Sequence, residues 1–196
     1  IGNLGNLENN LPNADNCEIA IMGLGYVGLP LAVAFSKTKI CVKTNCKLSR
    51  SVIGFDVDKK RINELKKGFD KTNEIYKEDL ISQNNLFFTD QIEKLFETDV
   101  FVITVPTPID KFKKPELSAL KKVSKLVGEV INNRGKKTNP IIIYESTVYP
   151  GATEEVCGPI LEKFSKNLKA GKDFFLGYSP KRVNPGDKVH TIDKIN

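Results

Sequence analysis

The sequence predicts an α/β protein: a Rossmann-like, doubly wound parallel sheet with helices on both faces, in a three-layer α/β/α arrangement. Short apolar runs typical of buried strands alternate with helical patterns along the chain, and such alternation indicates a parallel sheet. A glycine-rich turn at 23–28, Gly-Leu-Gly-Tyr-Val-Gly, follows the first apolar run and precedes a helical segment. Right-handed crossovers then bring the C-terminal ends of the strands to one rim.

The glycine turn lies between a predicted strand at 18–22 and a predicted helix that begins near Tyr26. This is the context that a dinucleotide-binding fingerprint needs, although such a turn alone is weak support. Gly23 permits the tight turn, and Gly25 lets the backbone approach a pyrophosphate. The amides near Tyr26 and Val27, at the positive end of the helix dipole, are expected to hold the phosphates.

Asp56 follows the second predicted strand, at 51–55. An acidic residue there accepts hydrogen bonds from the adenosine ribose and repels the 2′-phosphate of NADP, so NAD is the favoured cofactor. Asp56 follows Gly28 by 28 residues, where about 20 is usual. A basic segment at 38–50 accounts for the excess, and we interpret it as an extended surface loop rather than a redox or metal site. The alternative for Asp56 is an ordinary surface aspartate.

A capped helix is predicted at 58–67, with Ile62 and Leu65 facing inward and Gly68 ending it. Arg61 on this helix either covers the adenine or is a solvated helix charge. Another helix is expected to open with Pro115 at its first position. Its apolar stripe comprises Leu117, Leu120, Val123, Leu126, Val127, Val130 and Ile131. An amphipathic stretch is predicted at 75–81, and helices at 92–96 and from 153, with a bend or restart at Pro159. Strands are predicted at 86–89, 140–144 and 173–178.

An apolar strand at 99–105 runs into a stiff turn that contains two prolines. Ligands of open α/β sheets bind outside the carboxyl ends of the strands. Val105, Pro106 and Thr107 are therefore candidates for the wall of the cofactor cleft, and the alternative is a rigid connector.

Composition excludes several classes of protein. The net charge is +6, with 30 basic and 24 acidic residues, but the basic residues are scattered and few aromatics accompany them, so no nucleic-acid partner is expected. The four cysteines form no Cys-x-x-Cys pair and one histidine is present, so neither a metal site nor a disulfide framework is expected. No apolar run reaches the roughly 20 residues of a membrane span. We expect a cytoplasmic protein, a fragment with a loose lead-in at 1–16 and a dinucleotide-binding domain at 17–196.

Four segments together resemble a known family. Residues 23–30, 105–110, 145–151 and 178–186 read Gly-Leu-Gly-Tyr-Val-Gly-Leu-Pro, Val-Pro-Thr-Pro-Ile-Asp, Glu-Ser-Thr-Val-Tyr-Pro-Gly and Tyr-Ser-Pro-Lys-Arg-Val-Asn-Pro-Gly. In this order they resemble the UDP-glucose/GDP-mannose dehydrogenase family. Residues 69–74, Phe-Asp-Lys-Thr-Asn-Glu, resemble its branch acting on UDP-N-acetylhexosamines in capsule and O-antigen synthesis.

The resemblance implies an NAD-dependent oxidation of the C6 alcohol of a nucleotide sugar to a carboxylate, with two NAD⁺. The aldehyde formed first is captured by a cysteine, and the resulting thioester is hydrolysed. Thr147 resembles the family threonine that holds the catalytic water near the nicotinamide, and with Ser146 it helps to form the cofactor site. The residues that the resemblance places against the sugar are Ser179, Pro180, Lys181, Arg182 and Val183.

The sequence departs from the family pattern in three places. Lys181 stands where the family has a glutamate implicated in acid–base and hydrolysis steps. No cysteine here has the Gly-Gly-x-Cys setting of the family nucleophile, and the central helical and UDP-binding domains are not represented. The family also joins helix and strand near 38–50 with few residues.

We therefore expect the chain to bind NAD without completing the four-electron oxidation, and the full-length parent to be a homodimer through the central region. Two alternatives stay open. One is a non-catalytic nucleotide-binding module derived from this family. The other is the same enzyme class acting on UDP-glucose, UDP-N-acetylmannosamine or GDP-mannose.

Overall fold

The computed structural model describes residues 10–108, 115–145 and 151–179. Within these ranges six parallel strands form one sheet, in the order β3-β2-β1-β4-β5-β6. The order reverses direction between β1 and β4, which is the doubly wound arrangement, so the predicted fold class is confirmed. The strands are β1 (Glu18–Met22), β2 (Ser51–Phe55), β3 (Leu86–Thr89), β4 (Val100–Ile103), β5 (Ile141–Glu145) and β6 (Phe175–Ser179).

Helices connect the strands on both faces of the sheet. They are α1 (Gly28–Lys37), α2 (Lys59–Lys66), α3 (Lys77–Ile81), α4 (Ser118–Asn132) and α5 (Gly158–Phe164). A 3₁₀ turn at Ile92–Leu95 precedes β4, and a π-helical turn at Thr153–Cys157 precedes α5. Pro159 lies at the start of α5, as expected for a restart of the helix.

The predicted start of α4 at Pro115 is wrong. The helix begins at Ser118, because Glu116 makes other contacts. The amide of Glu116 donates to the carbonyl of Pro108 (2.7 Å), and the Glu116 carboxylate accepts from the amide and hydroxyl of Ser118 (both 2.8 Å). Glu116 is therefore bound to the segment after β4 rather than forming the first turn of the helix.

Two apolar clusters fill the space between the sheet and its helices. Alternate strand residues point to opposite faces, and both faces are covered, so the strands are apolar throughout. The cluster under α1, α2 and α3 includes Ile19, Ile21 and Val52. The cluster under α4 and α5 includes Phe101, Ile142, Tyr144, Leu120, Val127 and Leu161. Ile62 and Leu65 of α2 are buried as predicted.

Residues 38–50 lie at the N-terminal edge of the sheet, away from the glycine turn. The predicted surface position is correct, since Val42 is 98% exposed. The segment also contains pairing that the prediction lacked, an antiparallel bridge between Ile40 and Lys47. It is anchored next to the start of β3, where the Lys39 ammonium donates to the Asn85 side chain (3.0 Å).

Candidate functional site

A cavity of about 440 Å³ opens at the C-terminal ends of β1, β2 and β4, beside α4. This is the position at which open α/β sheets bind ligands, where the strand order reverses. Six of the residues that the sequence predicted for the cofactor line the cavity together: Gly23, Gly25, Asp56, Arg61, Val105 and Pro106.

Three other predicted cofactor residues, Tyr26, Val27 and Thr107, are not among its lining residues. Val27 is buried at the N-cap of α1, where it provides no side-chain hydrogen bond. Val27 therefore does not cap the N-terminus of α1 with its side chain. The positive end of the α1 dipole lies next to the glycine turn.

The glycine turn is held by close packing that only glycine permits. Gly23 has φ of +104°, a conformation that side-chain-bearing residues rarely adopt. A Cβ on Gly28 would collide with the carbonyl oxygen of Gly23 and the hydroxyl of Thr104, so helix and strand approach each other at that point. A Cβ on Gly25 would meet nothing within 4 Å. Gly25 therefore leaves open space beside the backbone, as a bound pyrophosphate requires.

Asp56 binds the glycine turn directly. Its Oδ2 accepts from the amide of Leu24 (2.8 Å), and its Oδ1 accepts from the amide of Asp58 (3.0 Å). The long spacing between Gly28 and Asp56 has not displaced the carboxylate, because the extra residues are accommodated at the opposite edge of the sheet. Each carboxylate oxygen keeps acceptor capacity for a ribose hydroxyl.

Arg61 is buried, at 2% exposure, so its interpretation as a solvated helix charge is wrong. Its Nε donates to the carbonyl of Leu24 (2.9 Å), and its Nη2 lies 2.8 Å from Oδ1 of Asp70. Its Nη1 has no hydrogen-bond partner among the described residues. A buried guanidinium donor without a partner, on a residue that lines the cavity, fits a polar ligand there.

Asp70 organises the loop that follows α2. Its carboxylate accepts from the amide and hydroxyl of Thr72 (3.0 and 2.7 Å) and from the amides of Glu74 (2.9 Å) and Ile75 (3.1 Å). Burial alone would raise the pKa of Asp70, but these hydrogen bonds and Arg61 outweigh burial and lower it. The charged carboxylate thus connects the loop to Arg61 and, through Arg61, to the glycine turn.

The residues that line the cavity and that sequence reasoning did not assign to the cofactor include Lys71, Thr72 and Lys122. The segment containing Lys71 and Thr72 entered the prediction only through its family resemblance. Lys122 follows Ala119 by one helical turn on α4, and Ala119 also lines the cavity. Residues three apart share a helix face, so Ala119 and Lys122 reach the cavity together, but neither belongs to the apolar stripe that the sequence predicted.

The predicted substrate side is only partly described. Ser179 ends β6 and pairs with Glu145 at the end of β5. Burial raises the pKa of Glu145, and a hydrogen bond from Ser179 partly opposes that rise. The other predicted residues on this side lie outside the described residues: Ser146, Thr147, Pro180, Lys181, Arg182 and Val183.

Across residues 10–108, 115–145 and 151–179, no group of three or more histidine, cysteine or acidic side chains is placed to hold a metal ion. No helix in the same ranges is long and apolar enough to cross a membrane.

Comparison with known proteins assigns the fold and cavity to a family. Residues 17–196 match the NAD binding domain of the UDP-glucose/GDP-mannose dehydrogenase family. The chain belongs to this family. NAD is the cofactor of its domain, and the open space at Gly25, the Asp56 carboxylate and the unpartnered donor of Arg61 fit that cofactor.

Named relatives include Protein CapL of Staphylococcus aureus, 51% identical over 180 residues, which cover 92% of this chain and 38% of that protein. The UDP-N-acetyl-D-glucosamine 6-dehydrogenase of Pseudomonas aeruginosa is 49% identical, with 91% and 38% covered. A ternary complex of GDP-mannose dehydrogenase from Pseudomonas aeruginosa superimposes with a TM-score of 0.73 at 30% identity, covering 85% of this chain and 36% of that one. The chain thus spans less than two fifths of the length of each of these three proteins.

Proposed function

We propose that this chain is the NAD-binding part of an enzyme that oxidises the C6 alcohol of a UDP-N-acetylhexosamine to the carboxylate, with two NAD⁺. The observation that carries the dehydrogenase assignment is the Asp56 carboxylate bound to the amide of Leu24 beside the open face of Gly25. The hexosamine assignment is supported by 49% identity to a UDP-N-acetyl-D-glucosamine 6-dehydrogenase.

The proposed roles follow the cavity from the adenosine outward. Asp56 accepts from the ribose hydroxyls, while Arg61 supplies its free donor to the adenosine side. The turn at Gly23 and Gly25, with the amides of Tyr26 and Val27, receives the pyrophosphate. Val105, Pro106 and Thr107 form the wall at the end of β4. Beyond that wall, Ser146 completes the nicotinamide side.

On the substrate side, Thr147 is proposed to hold the catalytic water. Residues 179–183, Ser-Pro-Lys-Arg-Val, contact the sugar. The nucleophilic cysteine and the UDP-binding domain belong to the part of the relatives that this chain does not span. In this division residues 17–196 are the NAD-binding domain and 1–16 a lead-in, and the parent pairs as a homodimer through its central region.

A rate comparison in the full-length protein tests the substrate. The proposal predicts the highest kcat/KM on UDP-N-acetylglucosamine or UDP-N-acetylgalactosamine, with two NADH formed for each sugar oxidised. UDP-N-acetylmannosamine, UDP-glucose and GDP-mannose serve as comparison substrates. A higher kcat/KM on one of these three, or a single NADH per sugar, would contradict the proposal.

Lys181 favours a second candidate, a nucleotide-binding module that has lost catalysis. A lysine at that position places a cation beside the sugar and supplies no carboxylate to accept a proton. Turnover that is absent in the full-length protein and restored by Lys181→Glu would support this second candidate. Equal turnover with lysine and glutamate would rule it out.

A further inference from the structure

Residues 38–50 contain a small hairpin in which two cysteines lie opposite each other. Ile40 and Lys47 form an antiparallel bridge. One step closer to the turn, the amide of Cys41 donates to the carbonyl of Cys46 (2.9 Å). This register pairs Cys41 directly with Cys46, so both side chains project from the same face of the hairpin.

The geometry of such a pair suits a disulfide bond. Directly opposed, hydrogen-bonded residues have Cα atoms about 5.5 Å apart, and disulfides span Cα separations of about 4.4 to 6.8 Å. The turn is closed by Asn45, whose φ is +56° and whose amide donates to the carbonyl of Cys41 (2.8 Å). The backbone therefore holds the two cysteine residues opposite each other before any bond forms.

The two hairpin cysteines also differ from the other two in access, and Cys41 differs from them in the pKa of its thiol. Cys46 is exposed and Cys41 half-buried, whereas Cys17 and Cys157 are buried. A hydrogen bond from the Thr44 side chain, with backbone hydrogen bonds, lowers the pKa of the Cys41 thiol. Burial raises the pKa of both Cys17 and Cys157. Because the thiolate is the nucleophile, Cys41 is a better attacking group than Cys17 or Cys157.

We propose that Cys41 and Cys46 form a reversible intrachain disulfide by exchange with a low-molecular-weight disulfide such as glutathione disulfide. The Cys41 thiolate attacks one sulfur of glutathione disulfide, forms a mixed disulfide and releases one glutathione thiolate. The Cys46 thiolate then attacks the Cys41 sulfur, closes the hairpin disulfide and releases the second glutathione. The two cysteines lose two electrons and two protons, and glutathione disulfide is reduced to two glutathione molecules.

The oxidised hairpin lies at the opposite edge of the sheet from the cofactor. The hairpin precedes β2, whereas Asp56 follows it, and five extended residues span roughly 16 Å. Oxidation is therefore expected to leave the dissociation constant for NAD⁺ within about twofold of that of the reduced chain. This makes the thiol site separable from the proposed dehydrogenase function.

The test is a redox titration of the 196-residue chain in glutathione buffers, followed by quenching in acid, alkylation in denaturant and digestion with trypsin. Cleavage after Lys39, Lys43 and Lys47 places Cys41 and Cys46 in separate peptides, so the disulfide appears as two linked peptides in mass spectrometry. We expect this linked pair while Cys17 and Cys157 remain alkylated. The same titration in denaturant should need a roughly tenfold more oxidising buffer, because the hairpin no longer holds the thiols together.

Two variants check the order of the steps. Cys46→Ser should stop at one glutathione adduct on Cys41, and Thr44→Val should slow the first step, because it removes the hydroxyl that favours the Cys41 thiolate. Three results would each overturn the proposal. They are mixed disulfides without the linked peptides in the wild-type chain, equal oxidation in the folded and unfolded chains, and adducts on Cys17 or Cys157 as readily as on Cys41.

Discussion

Two buried aspartate–arginine pairs lie at opposite ends of the parallel strands, and they differ in the hydrogen-bond partners of the arginine. At the N-terminal edge, Asp99 lies 3.3 Å from Arg134 and 2.8 Å from Lys136, and it accepts from the amide of Glu18 (3.0 Å). At the C-terminal rim, Asp70 lies 2.8 Å from Arg61. Both arginine side chains are almost fully buried, at 4% and 3% exposure.

The difference lies in the remaining donors of each arginine. Arg134 donates to the carbonyls of Thr98 and Thr138 and to the Thr138 hydroxyl, so its guanidinium connects protein groups only. Arg61 keeps Nη1 without a partner among the described residues, and it lines the cavity. A buried donor without a partner costs free energy. We therefore propose that Arg61 also serves a ligand, whereas Arg134 only stabilises the fold.

The largest expected effect comes from replacing each arginine by methionine. Arg61→Met leaves Asp70 buried without a cationic partner, which costs about 3–5 kcal/mol of the free energy of unfolding. Arg134→Met should cost less, because Asp99 keeps its pairing with Lys136. Urea unfolding measures this loss for both variants. Only Arg61→Met should also weaken NAD⁺ binding, measured at a urea concentration at which each chain is folded. Equal loss of NAD⁺ affinity in the two variants would remove the distinction between the edges.

Two glycines of the same turn, Gly28 and Gly25, should respond differently to replacement by alanine. Gly28→Ala forces a methyl group against backbone and should destabilise the fold by about 1–3 kcal/mol or more. Gly25→Ala places its methyl group in open space, so stability should change little while NAD⁺ affinity falls. Thermal unfolding with and without NAD⁺ distinguishes the two outcomes. A Gly25→Ala chain that binds NAD⁺ normally would show that no phosphate approaches this position.

The lowered pKa of Asp70 predicts how the stability of the chain changes at low pH. Its folded-state pKa lies below the ordinary value of about 3.9. Its contribution to stability is therefore complete above that value and is lost as the pH falls through the folded-state pKa. Asp70→Asn removes this dependence, so the variant should be less stable than the wild-type chain at pH 7 and lose less stability on acidification. Parallel pH profiles of the two chains would refute this account of Asp70.

Replacing Glu145 should change the stability at pH 7 less than replacing Asp70, and in the opposite direction. Its folded-state pKa is raised, so its contribution is present below the ordinary value of about 4.3 and is lost as the pH rises through the folded-state pKa. Glu145→Gln stays neutral and should be slightly more stable than the wild-type chain at pH 7, because the group is half-exposed and partly screened. Denaturant unfolding at pH 4 and pH 7 measures the difference, and a less stable variant at pH 7 would contradict it.

Local patterns predicted the strands well, because a parallel sheet covered on both faces requires apolar runs, and 18–22, 51–55 and 86–89 match β1, β2 and β3. The start of α4 was missed because Glu116 makes contacts with the segment after β4 that no local pattern reveals. At the site, glycine spacing and a strand-terminal acid led to Gly23, Gly25 and Asp56.

The burial of Arg61 and the role of Asp70 were not predictable in the same way. The two residues are nine apart in sequence, and their pairing depends on how the loop after α2 folds back beneath the glycine turn. A charged residue on a polar helix is usually solvated. The composition of α2 therefore predicted an exposed guanidinium at Arg61 rather than a buried one. Lys122 was missed for a similar reason, because it shares a helix face with Ala119, and only the structure shows that this face lines the cavity.

The most direct test of the central claim is calorimetric titration of this chain with NAD⁺ and NADP⁺, repeated with Asp56→Ala. Asp79→Ala is the matched control, because it removes a carboxylate on α3 that pairs with Lys37 outside the cavity. We predict preferential binding of NAD⁺, at least about tenfold weaker in Asp56→Ala, or about 1.4 kcal/mol, and unchanged in Asp79→Ala. NAD⁺ affinity that is the same in Asp56→Ala and the wild-type chain would contradict the assignment of this rim as the adenosine site.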